Sequence, residues 1–313
     1  MLDPGALRTS RELFLTIISG GATDLQTWVI DRMISVFEEE EVEAGRRVFE
    51  AGEPIEFIYF MREGKLQVTR EGMPPWTYEG RWVIGPADAL LERPYRRTGV
   101  ALTNLSMLKL PVGDWIDLLE DSFELARAAV SNAVRGVAAL ETRVWAAQKE
   151  PRGSAVLTPP KERGPLSFVD RLATFAEVRL LRGAGVQVLT DVVGLVEENT
   201  FPAGTTLWDR GEVPGRAFFV IDGEVLADRI DPALTVRFGP GSVVAGAAAL
   251  GDPSPWEPRA VTETRTLSLH LEDWFDLMEE HFDLVRSALG GLAQIREEIL
   301  EQLAAATGEL VLG

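Results

Sequence analysis

The sequence predicts two tandem copies of one mainly β domain with flanking helices. The first observation is a repeat, because residues 44–64 return as residues 203–223 at an offset of 159. The second is the spacing of glycines in each copy, since short strands need tight turns and a turn position with positive φ is cheap only for glycine. The third is an amphipathic block that follows the strands of each copy.

The repeat keeps one register over two separate blocks. Glycines fall on glycines and aromatics on aromatics: Gly45 on Gly204, Gly52 on Gly211, Gly64 on Gly223, and Tyr59-Phe60 on Phe218-Phe219. Residues 110–127 and 269–286 follow in the same register and are identical at 9 of 18 positions. A unit of this size is a duplicated domain and not a short solenoid repeat. We expect domain 1 over residues 1–148, a linker over 149–165 and domain 2 over 166–313.

The first copy divides into a helix, a run of strands and a second helix. Apolar residues at spacing four predict the opening helix: Leu25, Val29, Met33 and Phe37. The acidic run from Glu38 to Glu41 is expected to be the solvated end of that helix. Alternating apolar residues broken by glycine turns predict strands from Glu41 to about Leu110. A helix should then begin near Asp114, a natural N-cap, and run toward Trp145.

The second copy repeats this plan after a linker. Residues 149–165 are rich in proline, glycine and charge and show no period, which is typical of a linker. A helical part over residues 168–196, strands over residues 201–269 and a terminal helix from Asp273 to about Leu303 complete the copy. Each copy therefore ends in a long amphipathic helix.

The first long helix carries a heptad seam of small and branched residues. Its members step by four and three: Ala126, Val130, Ala133, Val137, Leu140 and Val144. The seam runs beyond the part of the helix that its own domain needs for docking. We expect Val130, Ala133, Val137, Leu140 and Val144 to form a contact in a homo-oligomer or larger assembly. The alternatives are packing on the helix's own domain, and cover by the second domain folding back.

Composition excludes several classes of function. The formal net charge is −18 and cysteine is absent. So acidic a surface repels phosphate backbones, and we expect no nucleic-acid partner. No apolar run approaches the length of a membrane span and no signal peptide begins the chain, so we expect no membrane insertion and a cytoplasmic location.

The two histidines, His270 and His281, lie in no metal-binding pattern, and no catalytic motif occurs. We expect no metal, no cofactor and no enzymatic activity.

The repeated segment resembles a known family. Residues 202–225, with their PAG, GE, aromatic pair and closing glycine, closely resemble the first half of a cyclic-nucleotide-binding domain of the catabolite-activator and protein kinase A regulatory-subunit type. The first copy resembles it too. The resemblance implies two tandem flattened β-rolls, or jelly-roll-like double-stranded β-helices, each of about eight strands and each followed by C-terminal helices.

The same resemblance implies a phosphate-binding cassette in each roll. In the family, a glutamate of the cassette accepts from the ribose hydroxyl and an arginine pairs with the phosphate, since a buried phosphodiester needs a fixed cation. In the first copy the alignment places Ala87 at the glutamate position and Tyr95 or Arg96 at the arginine position. Candidate ligand-binding residues of domain 1 are Asp88, Tyr95, Arg96, Arg97 and Thr98. The alternative is a solvated arginine pair beside an N-capping aspartate.

The second cassette departs further from the family pattern. Gly246 falls at the glutamate position and Ser254 or Pro255 at the arginine position, and three prolines interrupt the segment. We expect no ligand-binding residues in domain 2. The sequence favours a non-catalytic scaffold or regulatory module that has lost cyclic-nucleotide binding. The alternative is a cAMP or cGMP receptor that uses domain 1.

Overall fold

The fold is drawn from a computed structural model that describes residues 32, 35–160, 164–244 and 250–310. The predicted opening helix, with Leu25, Val29 and Met33, lies outside the described residues. Phe37 is buried and stands directly before the first strand. Its ring meets Phe60 edge-on at 5.0 Å.

Two four-stranded antiparallel sheets form the first roll. One sheet has the order β1-β8-β3-β6 and the other β2-β7-β4-β5. Their strands are β1 Glu38–Val42, β2 Arg47–Phe49, β3 Phe57–Glu63, β4 Lys65–Thr69, β5 Trp76–Glu79, β6 Trp82–Ile84, β7 Thr98–Ala101 and β8 Leu105–Pro111. Gly64 turns the chain from β3 into β4 with φ 107°, a conformation that disfavours any side chain.

The second roll repeats this pairing at the predicted offset, although its described residues form no strand equivalent to β2. Its sheets have the orders β13-β10-β15-β9 and β12-β11-β14. Their strands are β9 Glu197–Phe201, β10 Arg216–Asp222, β11 Val225–Arg229, β12 Leu234–Phe238, β13 Val243–Val244, β14 Trp256–Ala260 and β15 Thr264–His270. The register shifts after Met61 in β3 and after Val220 in β10, which are equivalent positions. The two copies therefore share even this irregularity in strand pairing. The predicted fold of two β-rolls is confirmed.

Helices follow each roll, also at the predicted offset. The first roll contains a short helix, and both rolls are followed by a helix of ten residues and then a long one. The described α-helices are α1 Pro86–Leu90, α2 Val112–Asp121, α3 Phe123–Ala147, α4 Phe168–Ala176, α5 Val186–Leu195, α6 Leu271–Glu280 and α7 Phe282–Thr307. A short 3-10 turn, Arg179–Leu181, lies between α4 and α5.

The predicted single helix from Asp114 to Trp145 is wrong in two details. It begins earlier, because Pro111 is the N-cap and Asp114 already lies in the first turn of α2. It is also broken at Ser122, whose extended backbone (φ −136°, ψ 102°) separates α2 from α3. His281 makes the same break between α6 and α7 (φ −134°, ψ 91°). Trp115 is buried on α2, whereas the equivalent Trp274 on α6 is only partly buried.

The acidic run Glu38 to Glu41 is a strand and not the end of a helix. These residues form β1, which pairs antiparallel with β8. Lys109 of β8 faces Glu38 and Glu40 at 3.2 and 3.8 Å, and Arg62 faces Glu39 and Glu41 at 3.1 and 3.6 Å. Alternate carboxylates thus meet cations across the sheet, so strand pairing offsets the like charges.

The chain forms two compact units that divide inside the long helices. One unit holds residues 1–133 together with residues 293–313, and the other holds residues 134–292. The first unit thus contains the first roll and the C-terminal part of α7. The second contains the C-terminal part of α3, the second roll and the start of α7.

The predicted linker is partly ordered within the second unit. Gly153 donates its N–H to the carbonyl of Arg237 at 2.8 Å, and Val156 donates to that of Gly241 at 2.8 Å. Leu157 is buried. This stretch therefore runs along the second roll in irregular pairing, and residues such as Arg152 and Ala155 remain exposed.

Candidate functional site

The candidate site of the first roll is built on α1 and the segment that follows it. Gly85 precedes the helix with φ 105°, and a Cβ there would lie 3.2 Å from the carbonyl oxygen of Phe57. The turn therefore holds α1 close against β3. Asp88 of this helix is buried, at 4% of its full exposure.

Side chains alternate between the interior and the surface along the segment after α1. Tyr95 is buried, stacks on Phe49 at 4.6 Å and donates its hydroxyl to the carbonyl of Phe57 at 3.3 Å. Arg96 is exposed, whereas Arg97 is buried at 4%. Thr98 begins β7, and its hydroxyl accepts from the N–H of Ala51 at 3.1 Å. Of the two candidate arginines, only Arg97 faces the interior.

Arg97 holds two carboxylates through one nitrogen. Its Nη2 donates to Oδ1 of Asp88 at 2.8 Å and to Oε1 of Glu297 at 2.6 Å. The guanidinium also lies 5.8 Å from the ring centroid of Trp76. Glu297 belongs to the part of α7 that lies in the first compact unit, and it too is buried at 4%. A residue from near the end of the sequence thus completes the first roll.

Two further arginines face Glu297 on its other oxygen. Arg70, just after β4, donates to Oε2 at 3.1 Å, and Arg93, between α1 and β7, donates to it at 3.3 Å. Arg70 also pairs with Glu301, one turn further along α7. Because charged hydrogen bonds are about twice as strong as neutral ones, this cluster fixes the C-terminal part of α7 on the roll.

The electrostatics of the cluster favour a charged Glu297. Burial alone would raise the pKa of Glu297, but Arg97, Arg296 and Arg70 outweigh it, and the pKa lies below its ordinary value. Burial alone would lower the pKa of Arg97, but Asp88 and Glu297 hold it above its ordinary value. Burial raises the pKa of Asp88, and Arg97 offsets only part of that rise. Asp88 and Glu297 are therefore both counter-charges of Arg97.

Sequence reasoning missed Glu297, Arg70 and Arg93. Glu297 lies between Ile295 and Ile299 along α7, and nothing in the sequence distinguishes it from Glu298 and Glu301 nearby. Its burial depends on where this helix packs, which helical periodicity does not reveal. Arg70 and Arg93 lie in turns, where a charged side chain ordinarily faces solvent.

The second roll has an aromatic residue where the first has Arg97. Gly211 and Glu212 hydrogen-bond to Ser254 at 2.8 Å, just as Gly52 and Glu53 bond to Tyr95, so Trp256 is the equivalent of Arg97. Trp256 meets the edge of Trp145 at 5.7 Å. Gly246, the residue expected at the glutamate position, lies outside the described residues.

Arg259, which follows the second cassette in sequence, points away from the interior. It lies on β14 with 59% of its side chain exposed and faces Glu257 at 3.8 Å. An open cavity of about 410 Å³ lies beside Glu212, whose carbonyl accepts from the N–H of Ser254. It is lined by Leu207, Trp208, Glu212, Val213, Pro214 and Phe218.

The heptad seam of α3 is already covered in a single chain. Within the first unit Val130 is buried and Ala133 partly buried, and within the second unit Val137, Leu140 and Val144 are buried. The expectation of a subunit contact assumed an exposed seam, and that premise is wrong. The homo-oligomer stays a prediction without this support.

The described residues provide neither a metal site nor a membrane-spanning helix. They contain no group of three or more histidine or acidic side chains arranged to hold a metal ion. Among the same residues, no helix combines the length and apolar character that crossing a bilayer requires.

Comparison with known proteins identifies the family. The model of the cyclic nucleotide-binding domain matches residues 39–122 and again residues 198–281. This chain belongs to the cyclic nucleotide-binding domain family. The two matches coincide with the two rolls, so the family domain occurs twice in tandem.

Similar proteins include two bacterial channels and a kinase subunit. The chain is 32% identical over 141 residues to a cyclic nucleotide-gated potassium channel of Mesorhizobium japonicum and 29% identical over 137 residues to one of Rhizobium etli. These matches cover 44% and 43% of the chain but only 37% and 36% of the channels. The regulatory subunit of a cAMP-independent protein kinase A from Trypanosoma brucei covers 95% of the chain, with 92% of that subunit aligned, 14% identity and a TM-score of 0.38.

Proposed function

We propose that this chain is a non-catalytic regulatory module whose rolls serve protein interaction and bind no cyclic nucleotide at micromolar concentration. The observation that carries the proposal is the engagement of Arg97 by both Asp88 and Glu297. A buried phosphate needs a cation whose charge is not already balanced. Here the buried cation already has two carboxylate partners.

The cost of freeing Arg97 supports this proposal. A ligand would have to displace Glu297 from three arginines, and hydrogen bonds to charged groups each contribute about 1.5–3 kcal/mol. Since each 1.4 kcal/mol changes affinity about tenfold, displacement would weaken binding by several decades.

The second roll supports the same proposal for a different reason. Trp256 stands at the position of Arg97 and offers an apolar ring in place of a guanidinium. Ser254, the residue expected at the arginine position, is buried and bonds to the backbone of Trp256 at 3.1 Å. A phosphodiester placed there would lose its water and would find no arginine at the position of Arg97, which is costly.

A second candidate function is a cyclic-nucleotide receptor that uses the first roll. The burial of Arg97 beside α1, in the region of the predicted cassette, favours it. The bacterial relatives, which are named as cyclic nucleotide-gated channels, favour it too. In this case ligand would replace Glu297, and α7 would move.

Isothermal titration with cAMP and with cGMP distinguishes the two functions. We expect no binding heat from the wild-type chain at micromolar nucleotide. Binding that Arg97→Ala abolishes and Arg96→Ala retains would overturn the proposal and identify a receptor. Arg96 is the matched control because it is the neighbouring arginine and is exposed.

A further inference from the structure

The carboxylate of Glu297 is surrounded by guanidinium groups. Arg97 reaches one oxygen at 2.6 Å, and Arg70 and Arg93 reach the other at 3.1 and 3.3 Å. Arg296 approaches the first oxygen at 3.8 Å. Both Arg70 and Arg97 are about 95% buried at the side chain, as is Glu297. All of these residues belong to the first compact unit.

Even with Glu297 present, the cluster holds four guanidiniums against three carboxylates. Asp88 bonds to Arg97 and Glu301 pairs with Arg70, and these are the other two carboxylates of the cluster. Without the Glu297 side chain, four guanidiniums would face two carboxylates in a largely buried space. Since a buried charge is costly unless it is paired, such a space requires another anion.

The arginines also have donors that Glu297 does not use. The Nε atoms of Arg93 and Arg97 are buried, and neither has a hydrogen-bond partner among the described residues. A guanidinium presents its donors in a rigid fork that suits carboxylate and phosphate oxygens. A carboxylate has two oxygens, whereas a phosphate group has three or four and would engage more of these donors.

We propose that Arg70, Arg93 and Arg97 form a phosphate-binding site that Glu297 fills as a built-in competitor. This inference rests on the proposed function, in which the first roll binds no cyclic nucleotide. Because Glu297 belongs to the same chain, it acts at a high effective concentration, on the order of millimolar for a flexible tether and more for a docked helix. A free anion at micromolar concentration cannot compete with it.

The test removes the competitor and supplies the anion. Glu297→Ala opens space at the arginines and keeps α7 helical, since alanine is the strongest helix former. Thermal unfolding of the full chain is measured in sodium phosphate and in sodium chloride of matched ionic strength. Phosphate stabilises folded proteins in general, and this shift is shared by the wild type. We expect the melting temperature of Glu297→Ala to rise by a few degrees more than that of the wild type, because only the variant gains a ligand of the folded state.

Two control variants make this result specific. Glu301→Ala removes a carboxylate one turn along α7 that pairs with Arg70 and is half exposed, and it should gain no extra response to phosphate. Glu297→Ala combined with Arg97→Ala should lose the extra response, with phosphate affinity reduced about ten- to a hundredfold. The proposal is overturned if chloride stabilises Glu297→Ala as much as phosphate does. It is also overturned if Glu301→Ala responds to phosphate as strongly as Glu297→Ala does.

Titration of Glu297→Ala with inorganic phosphate, cAMP and cGMP then identifies the source of the phosphate group. Equal affinity for the three ligands means that the site recognises the phosphate group alone. Tighter binding of a cyclic nucleotide than of inorganic phosphate means that the roll also binds the nucleoside. Both results support the site. If Glu297→Ala is unfolded in chloride, phosphate should refold it or the isosteric Glu297→Gln, and failure with both variants overturns the proposal. Micromolar binding to the wild type would instead contradict the proposed function.

Discussion

The two rolls fill equivalent positions with opposite chemistry. In the first roll Arg97 bonds to Asp88 and Glu297, whereas in the second Trp256 meets the edge of Trp145. Seven strands of each roll, the glycine turns between them and even the register shift coincide. Turns and strand pairing therefore determine the shared backbone of the two rolls. This backbone, called the frame below, accommodates either an ionic or an aromatic cluster at this position.

The two clusters differ in what they contribute to folding. A buried ion pair loses the hydration of both charges, so it is often no more stabilising than apolar residues of the same volume. A buried tryptophan removes about 150–250 Å² from water and gains further from edge-to-face contacts. The aromatic cluster of the second roll should therefore stabilise its unit more, whereas the ionic cluster of the first confers sensitivity to charge.

The largest expected effect comes from removing the aromatic cluster. Trp145 packs in the core of the second roll with Trp208, Phe218 and Phe238. Replacing it with alanine leaves a cavity, and we expect Trp145→Ala to lower the free energy of unfolding by about 3–5 kcal/mol. Urea unfolding followed by near-UV circular dichroism measures the loss.

Trp274→Ala is the matched control in the same unit. Trp274 lies on α6 and is only partly buried, so its removal should cost clearly less than that of Trp145. Similar losses for the two variants would contradict the view that Trp145 closes the second roll. The ionic cluster would then have no aromatic counterpart.

The sequence predicted the frame of both rolls and only part of the site. Turn glycines such as Gly64 and Gly223 are local signals, because each is required by the backbone at its own position. Arg97 was a candidate, since the cassette pattern lies in one continuous segment. Glu297 could not be found in this way, because its role depends on packing across about 200 residues of sequence. The same limit applies to Trp145.

Glycine substitutions test the shared frame, and their expected losses of unfolding free energy are of intermediate size. A Cβ at Gly64 would lie 2.5 Å from the carbonyl oxygen of Asn104, and one at Gly223 would lie 2.4 Å from that of Glu263. Both glycines also have positive φ. We expect Gly64→Ala and Gly223→Ala to destabilise their rolls by similar amounts, about 2–4 kcal/mol, through strain and overpacking.

Gly45→Ala and Gly204→Ala separate strain from overpacking. Both positions have positive φ, but a Cβ at either would meet no atom within 4 Å. The loss in thermal or urea unfolding should therefore fall to about 1–2 kcal/mol. Unequal effects within either pair of equivalent glycines would show that the two frames are less alike than their strand pairing indicates.

The smallest expected effect is a pH dependence of opposite sign in the two units. The pKa of Glu297 is lowered in the first unit, so its contribution to stability is present above the ordinary value of 4.5 and is lost as the pH falls through the folded value. Burial raises the pKa of Glu141 in the second unit to about 7, although a hydrogen bond from Ser154 opposes the rise. Its contribution is present below pH 4.5 and is lost as the pH rises toward 7.

Substitution by glutamine separates these two contributions. Glu141→Gln should stabilise the chain at pH 8 by about 1–3 kcal/mol and change little at pH 4.5, because only at the higher pH does the wild type bury a charge. Glu297→Gln should destabilise at pH 8, and the difference from wild type should shrink in acid. Glu279→Gln, at an exposed carboxylate of α6, is the control and should change neither end of the profile. Parallel pH profiles for the Glu141 and Glu297 variants would show that charge does not distinguish the two units.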